Sequence, residues 1–239
     1  MSPAAKPKRR RTSKNNHGGA RPGAGRPPKG EFAGQPHKGR EAFRSKTPLH
    51  VVMRVVDAAG NLRRPPIHEA VRNALTTAGK HEDCRVVHLS IQRDHIHLLV
   101  EADDREALAR GMRAFQISLA KRINRAVSAP SKSRRRGQIF TDRYESFVLD
   151  NPRAVRDALV YVLNAWRKFE KPAPKALDPY SSALAFDGWK DPITEADASD
   201  FVPLVLWPAR TSLLTTGWRA GGKIARNEAP PAPAKKRAW

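Results

Sequence analysis

Short β-rich runs and longer helical stripes take turns between residues 48 and 170. Leu49-His50-Val51-Val52-Met53-Arg54-Val55-Val56 reads as a strand that ends at the turn signal Asp57-Ala58-Ala59-Gly60-Asn61. Pro65 and Pro66 open a helical stretch whose apolar positions are Ile67, Ala70, Val71, Ala74, Leu75 and Ala78, with Gly79 closing it. Cys84-Arg85-Val86-Val87-His88-Leu89-Ser90-Ile91 and then His95-Ile96-His97-Leu98-Leu99-Val100 flank the polar Gln92-Arg93-Asp94, a spacing that suits an antiparallel hairpin with the second strand central in its sheet. Asp103 with Glu106 forms a capping-box signature before a long helix striped by Leu108, Met112, Phe115, Leu119, Ile123 and Val127. After a basic loop from Ser128 to Gly137, Gln138-Ile139-Phe140 and Ser146-Phe147-Val148-Leu149 are two short strand pieces around Arg143-Tyr144. Asn151-Pro152 supplies the N-cap and N1 residues of a last helix, whose buried stripe is Val155, Leu159, Val162, Leu163, Trp166 and Phe169, and Pro172 and Pro174 end it.

The order β-α-β-β-α-β-α predicts an α+β fold, an antiparallel sheet with packed helices of the ferredoxin-like kind. The apolar stripes fade on either side of it. Residues 1–45 hold almost no large apolar side chain and twelve Lys and Arg against Glu31 and Glu41, a net +10, and so predict a disordered basic arm. Within the arm, Gly25-Arg26-Pro27-Pro28-Lys29-Gly30 resembles an AT-hook core, in which Arg26 would enter a narrow minor groove; a solvated basic linker is the competing reading. Residues 46–170 form the expected core domain. Residues 171–239 are an extension whose tryptophans predict partial docking and whose Pro/Ala/Lys end, from Ala229, predicts disorder.

Charge sharpens this picture. The 239 residues carry 45 Lys and Arg against 23 Asp and Glu, a formal net charge of +22, which makes a polyphosphate the leading partner. No run of about 18 apolar residues exists to span a membrane, and the start MSPAAKPKRRRTSK leads into polar residues, so no membrane partner and no secretory signal are expected. Cys84 is the only cysteine, which excludes an internal disulfide and a cysteine zinc cluster and fits a reducing, cytoplasmic setting.

The candidate chemistry starts from His95 and His97. Alternate side chains of a strand share a face, so the two imidazoles point together while Ile96, Leu98 and Val100 enter a core. Two neutral imidazoles on a rigid strand are half of a divalent-metal site, or simply the solvent face of an amphipathic strand. On the last helix, Tyr161 lies about one residue, roughly 100°, from the middle of the apolar stripe and thus at the edge of the buried face. A phenol with a reference pKa near 10 needs a metal or a base to attack at neutral pH. Tyr144 and Tyr180 are the other two tyrosines.

The chain resembles the HUH endonuclease superfamily and, within it, the REP-associated tyrosine transposases. The resemblance is carried by His95-Ile96-His97-Leu98-Leu99-Val100-Glu101, by Ile139-Phe140-Thr141-Asp142-Arg143-Tyr144, and by Tyr161-Val162-Leu163-Asn164 on the helix opened by Asn151-Pro152. It implies that His95 and His97 bind Mg²⁺ or Mn²⁺ and that Tyr161 attacks single-stranded, hairpin-forming DNA, leaving a 5′-phosphotyrosine and a free 3′-OH. It implies a nucleoid-associated protein acting as monomer or homodimer. The family often takes a third ligand from an Asn or Gln one turn after the tyrosine; that position here is Ala165, with Asn164 the nearest candidate and His50 and His88 behind it. Lys121, Arg122, Arg125, Arg134, Arg135, Arg136 and Arg143 would supply phosphate contacts. The alternative is a non-catalytic nucleic-acid-binding protein that recognises palindromic repeats. A two-metal hydrolase finds no support, because no carboxylate cluster accompanies the histidines.

Overall fold

The structure is a computed structural model and describes residue 43 and residues 47–78, 82–128, 135–199 and 202–230, all within one compact unit, His37–Trp239. Apart from Phe43, the expected disordered arm, Arg26 included, lies outside the described residues, as do Gly79, Arg134 and the end of the C-terminal tail.

The strands are β1 (Leu49–Arg54), β2 (Cys84–Ile91), β3 (His95–Ala102) and β4 (Glu145–Val148), and the main helices are α1 (Pro65–Ala78), α2 (Arg105–Ser128) and α3 (Pro152–Asn164). They follow one another as β1-α1-β2-β3-α2-β4-α3 and build an antiparallel sheet in the order β2-β3-β1-β4, the α+β arrangement expected, with the histidine strand inside it. Alternation splits each strand between two layers. Leu49, Val51 and Met53 of β1 and Ile96, Leu98 and Val100 of β3 pack with α1 and α2. Leu99 of β3 and Val87 of β2 pack on the opposite face with Val155, Leu159, Val162 and Leu163 of α3. A bulge between Val86 and His88 lets β2 contribute Val87 to that second layer.

Several local expectations shift. The first strand ends at Arg54, and Val55 continues it only as an isolated bridge to Phe140 while its N–H donates to the Asp94 carbonyl at 2.9 Å. The N-terminus of α2 is capped one residue later than the pattern suggests, because the Asp104 carboxylate, not that of Asp103, accepts the Ala107 N–H at 2.7 Å. The last helix stops at Asn164 and a separate turn, α4 (Arg167–Glu170), follows it, so Phe169 is 62% exposed instead of closing the apolar stripe.

The C-terminal extension completes the second layer. Trp189, Trp218, Phe186 and Ile224 are buried against α3. Residues 180–182 and 207 also hydrogen-bond along β2, with Ile91 N–H donating to Tyr180, Ser182 N–H to Leu89 and Trp207 N–H to Val86, which covers one open sheet edge. Two buried carboxylates pin the extension. Asp178 accepts from both terminal nitrogens of Arg63 at 2.8 and 3.1 Å. Glu101 of β3 accepts from Arg85 at 3.1 Å and from the backbone N–H groups of Arg210 and Thr211, the latter at 2.8 Å.

Removing one partner of a buried ion pair leaves the other charge uncompensated, typically at about 3–5 kcal/mol. Glu101→Ala strands Arg85 and releases two backbone donors, so it is expected to lower unfolding free energy by about that amount. It should also open residues 202–230 to limited proteolysis before the sheet is cut. An unchanged denaturation midpoint and digestion pattern would contradict this.

Candidate active site

In the β1–β3 register His95 faces Arg54, His97 faces Val52 and Leu99 faces His50, and β4 places Phe147 opposite His50. Residues paired this way share a sheet face, so His50, Arg54, His95, His97 and Phe147 all lie on the face that α3 covers. Asn151 starts that helix by accepting the Ala154 N–H at 2.9 Å, with Pro152 in its first turn. The apolar stripe then docks on Leu99 and Val87, and Tyr161, half-buried at its margin, is turned toward the histidines.

The rings form one cluster. The Tyr161 ring lies edge-on to His97 with centroids 5.0 Å apart, His95 and His97 are 4.6 Å apart and also edge-on, and His50 lies 5.1 Å from His97 and 6.0 Å from Tyr161. Lys168 of α4 holds its Nζ 5.1 Å from the Tyr161 ring centroid. The structure therefore brings Tyr161 to His95 and His97, which lie more than sixty residues before it in the chain.

The nitrogens are arranged asymmetrically. His95 Nδ1 is 2.6 Å from Asp94 Oδ1, and His97 Nδ1 is 3.1 Å from His50 Nε2. His97 Nε2 is buried and, among the described residues, has no hydrogen-bond partner. Burial, with His95 nearby, pushes the His50 pKa down to about 4. Burial also takes His97 well below its ordinary value, helped by His50, His95, Arg54 and Lys168. Both imidazoles are neutral at pH 7, the state in which histidine binds a metal. A buried, unpartnered imidazole nitrogen beside a second histidine fits a divalent cation. Among the described residues no three His, Cys, Asp or Glu side chains converge on one ion position, so the protein's own contribution is the imidazole pair.

The Asn164 amide nitrogen is engaged away from that pair. It donates to the carbonyls of Ala225 at 3.2 Å and Glu228 at 3.1 Å, because those buried acceptors of the docked extension need a donor. Ala165 ends the helix with a buried methyl group and no donor atom. His88 is held under the extension, its Nδ1 3.1 Å from Ser182 Oγ and its ring edge-on to Phe186. Tyr144 is buried in the layer of α1 and α2, and Tyr180 is covered by the Arg63 guanidinium at 4.7 Å.

The expected phosphate contacts divide in the same way. Lys121, Arg122 and Arg125 belong to α2, on the sheet face away from Tyr161, so they are not part of the ring cluster. Arg135 folds back on Asn124 and on the Gln138 carbonyl, while Arg136 and Arg143 are exposed. The cations that do reach the histidine face are Arg54 and Lys168, which the sequence reading passed over. Arg54 continues the alternation His50, Val52, Arg54, and Lys168 follows Tyr161 by two helical turns. Phe147, 44% exposed and 6.1 Å from His50, was equally missed, since its neighbour is set by strand register.

Among the described residues no helix is long and apolar enough to cross a membrane. The family model described as transposase IS200 like matches residues 44–164. No curated protein matches the chain. Two of the solved structures that resemble the chain illustrate the likeness, both at low identity. One is a REP-associated tyrosine transposase bound to a REP hairpin, with 10% identity and a TM-score of 0.48 over 63% of this chain and 84% of that one. The other is a candidate transposase from Deinococcus radiodurans, with 17% identity and a TM-score of 0.35 over 46% of this chain and 83% of that one.

Burial also pushes the His88 pKa down to about 4, against the opposing pull of Asp187 and Glu101. The unfolded chain takes up this proton near pH 6.5 and the folded chain only near 4. His88 therefore contributes its full stability above pH 6.5 and loses up to about 3 kcal/mol of it as pH falls toward 4. Denaturant titrations of His88→Gln between pH 7.5 and 4.5 should show a shallower acid loss than the native sequence; an equal slope would contradict the assignment.

Proposed function

The chain belongs to the IS200-like transposase family, and on that premise we propose that it cuts and rejoins single-stranded DNA by transesterification, with Tyr161 as nucleophile. The observation that carries this reading is the Tyr161 ring 5.0 Å from His97, with His95 alongside, all in one chain.

Attack by the Tyr161 oxygen on the scissile phosphorus forms a tyrosine–phosphate ester, breaks the bond to the 3′ oxygen and sends a proton to the departing 3′-OH. One phosphoester replaces another, so the free 3′-OH reverses the step on the same or another strand without an external energy source. The Nε2 atoms of His95 and His97 would hold Mg²⁺ or Mn²⁺, whose charge polarises the phosphate and eases loss of the phenol proton. Arg54 and Lys168 flank the same position and would pair with non-bridging phosphate oxygens. Phe147 offers an exposed aromatic face on which an unpaired base can stack, a contact worth about 1–3 kcal/mol per base and closed to a base held in a duplex. Hairpin-forming repeats, which expose unpaired bases at foot and tip, are the substrate class we infer from the family resemblance.

A second reading has one observation in its favour. Ala165 supplies no donor where the related enzymes often carry a ligand, and a chain that only binds such hairpins would tolerate that loss.

The test is incubation of the full chain with 5′- and 3′-labelled single-stranded hairpin oligonucleotides and Mn²⁺, resolved on denaturing gels. A covalent adduct carrying the 3′ portion of the DNA is expected, absent in Tyr161→Phe and without metal. Persistence of the adduct in Tyr161→Phe would move the nucleophile elsewhere. Tight, salt-sensitive binding with no adduct would favour the binding-only reading.

A further inference from the structure

We propose that His50 is a positioning residue that fixes the tautomer of His97, so that His97 Nε2 presents a lone pair to the cation. The inference rests on the metal-dependent reading of this site and deepens it.

A histidine pair binds an ion only when each ring turns an unprotonated nitrogen toward it, and the hydrogen bond at the other nitrogen decides which one that is. For His95 the choice is made by Asp94, whose carboxylate accepts at 2.6 Å from Nδ1. An ionised carboxylate has no proton to give, so Nδ1 carries the hydrogen and Nε2 is left bare. For His97 the corresponding partner is His50, whose Nε2 lies 3.1 Å from His97 Nδ1. One of these two nitrogens donates. Donation by His50 would put the His97 hydrogen on Nε2, which is buried with no acceptor in reach. Donation by His97 leaves Nε2 as a bare lone pair, and both histidines then match: Nδ1 is held by the protein and Nε2 is unprotonated.

Strand register delivers this contact. His50 is paired with Leu99, so His97 is its diagonal neighbour on the same face, and forty-seven residues of sequence separation collapse to one hydrogen bond. The contact bears more weight here than a comparable one would in a site with three such ligands, because Ala165 supplies no donor and no three His, Cys, Asp or Glu side chains converge on one ion position among the described residues. Loss of such an orienting partner typically weakens metal affinity by about 10- to 100-fold.

The test begins without metal or DNA. Long-range ¹H–¹⁵N correlation on the ¹⁵N-labelled full chain reads the tautomer of His97 directly: Nδ1–H is expected in the native sequence, and a tautomer mixture in His50→Phe. His50→Gln, whose amide oxygen can accept where Nε2 did, is expected to restore Nδ1–H. Mn²⁺ affinity followed by electron paramagnetic resonance should fall about 10- to 100-fold in His50→Phe and return to within a few-fold of native in His50→Gln. An Nε2–H tautomer in the native chain would overturn the proposal, as would undiminished Mn²⁺ binding by a folded His50→Phe chain. Pulsed measurements that count three imidazole nitrogens on the bound Mn²⁺ would overturn it too, by making His50 a ligand. Absence of DNA cleavage beside the expected tautomers and affinities would refute the transposase chemistry and leave the role of His50 standing.

Discussion

Burial of the α3 stripe between the sheet and the C-terminal extension is the constraint on which the rest depends. Val155, Leu159, Val162 and Leu163 meet Leu99 and Val87 on one side, while Trp218 and Ile224 close over the helix from the other. A helix of thirteen residues is marginal alone, and here its rotation and height are fixed by the layers that enclose it. That placement alone sets the distance between Tyr161 and His97. The buried carboxylate of Glu101, joined to the backbone of residues 210 and 211, ties the extension to the same strand that carries the histidines. The covering segment is thereby hydrogen-bonded directly to the histidine strand.

Electrostatics adds a second division between the sheet faces. His50, His88 and His97 are held neutral by burial, while the cations nearest the ring cluster, Arg54 and Lys168, come from a strand end and a helical turn at its margin. The remaining basic residues singled out in the sequence belong to α2 and to the segment that follows it. In the reaction proposed above, such distributed charge would contact phosphates away from the scissile bond and so raise affinity and salt dependence.

The fold was legible because its signals are local. Alternation in β1, β2 and β3, the Pro65 and Asn151-Pro152 helix starts and the long stripe of α2 each depend on neighbours within a few residues. The shared direction of His95 and His97 is of the same kind, as is the marginal position of Tyr161. The missed features depend on the third dimension. Nothing local says that the carbonyls of Ala225 and Glu228 will take up the Asn164 amide nitrogen. Phe169 continues the apolar spacing of α3, but the helix breaks after Asn164 and turns the ring outward. His50 and Phe147 became neighbours of the histidine pair only once the strands were in register.

The central claim is that one chain holds nucleophile and metal-binding histidines together. Mixing two inactive variants, Tyr161→Phe and His97→Ala, over a wide concentration range and assaying for covalent DNA adduct tests it most directly, with the native chain as the active reference. No mixture should recover activity, since neither variant contains both groups. Adduct formed by the mixture, growing with protein concentration, would show that Tyr161 works with the histidines of another chain and would contradict it.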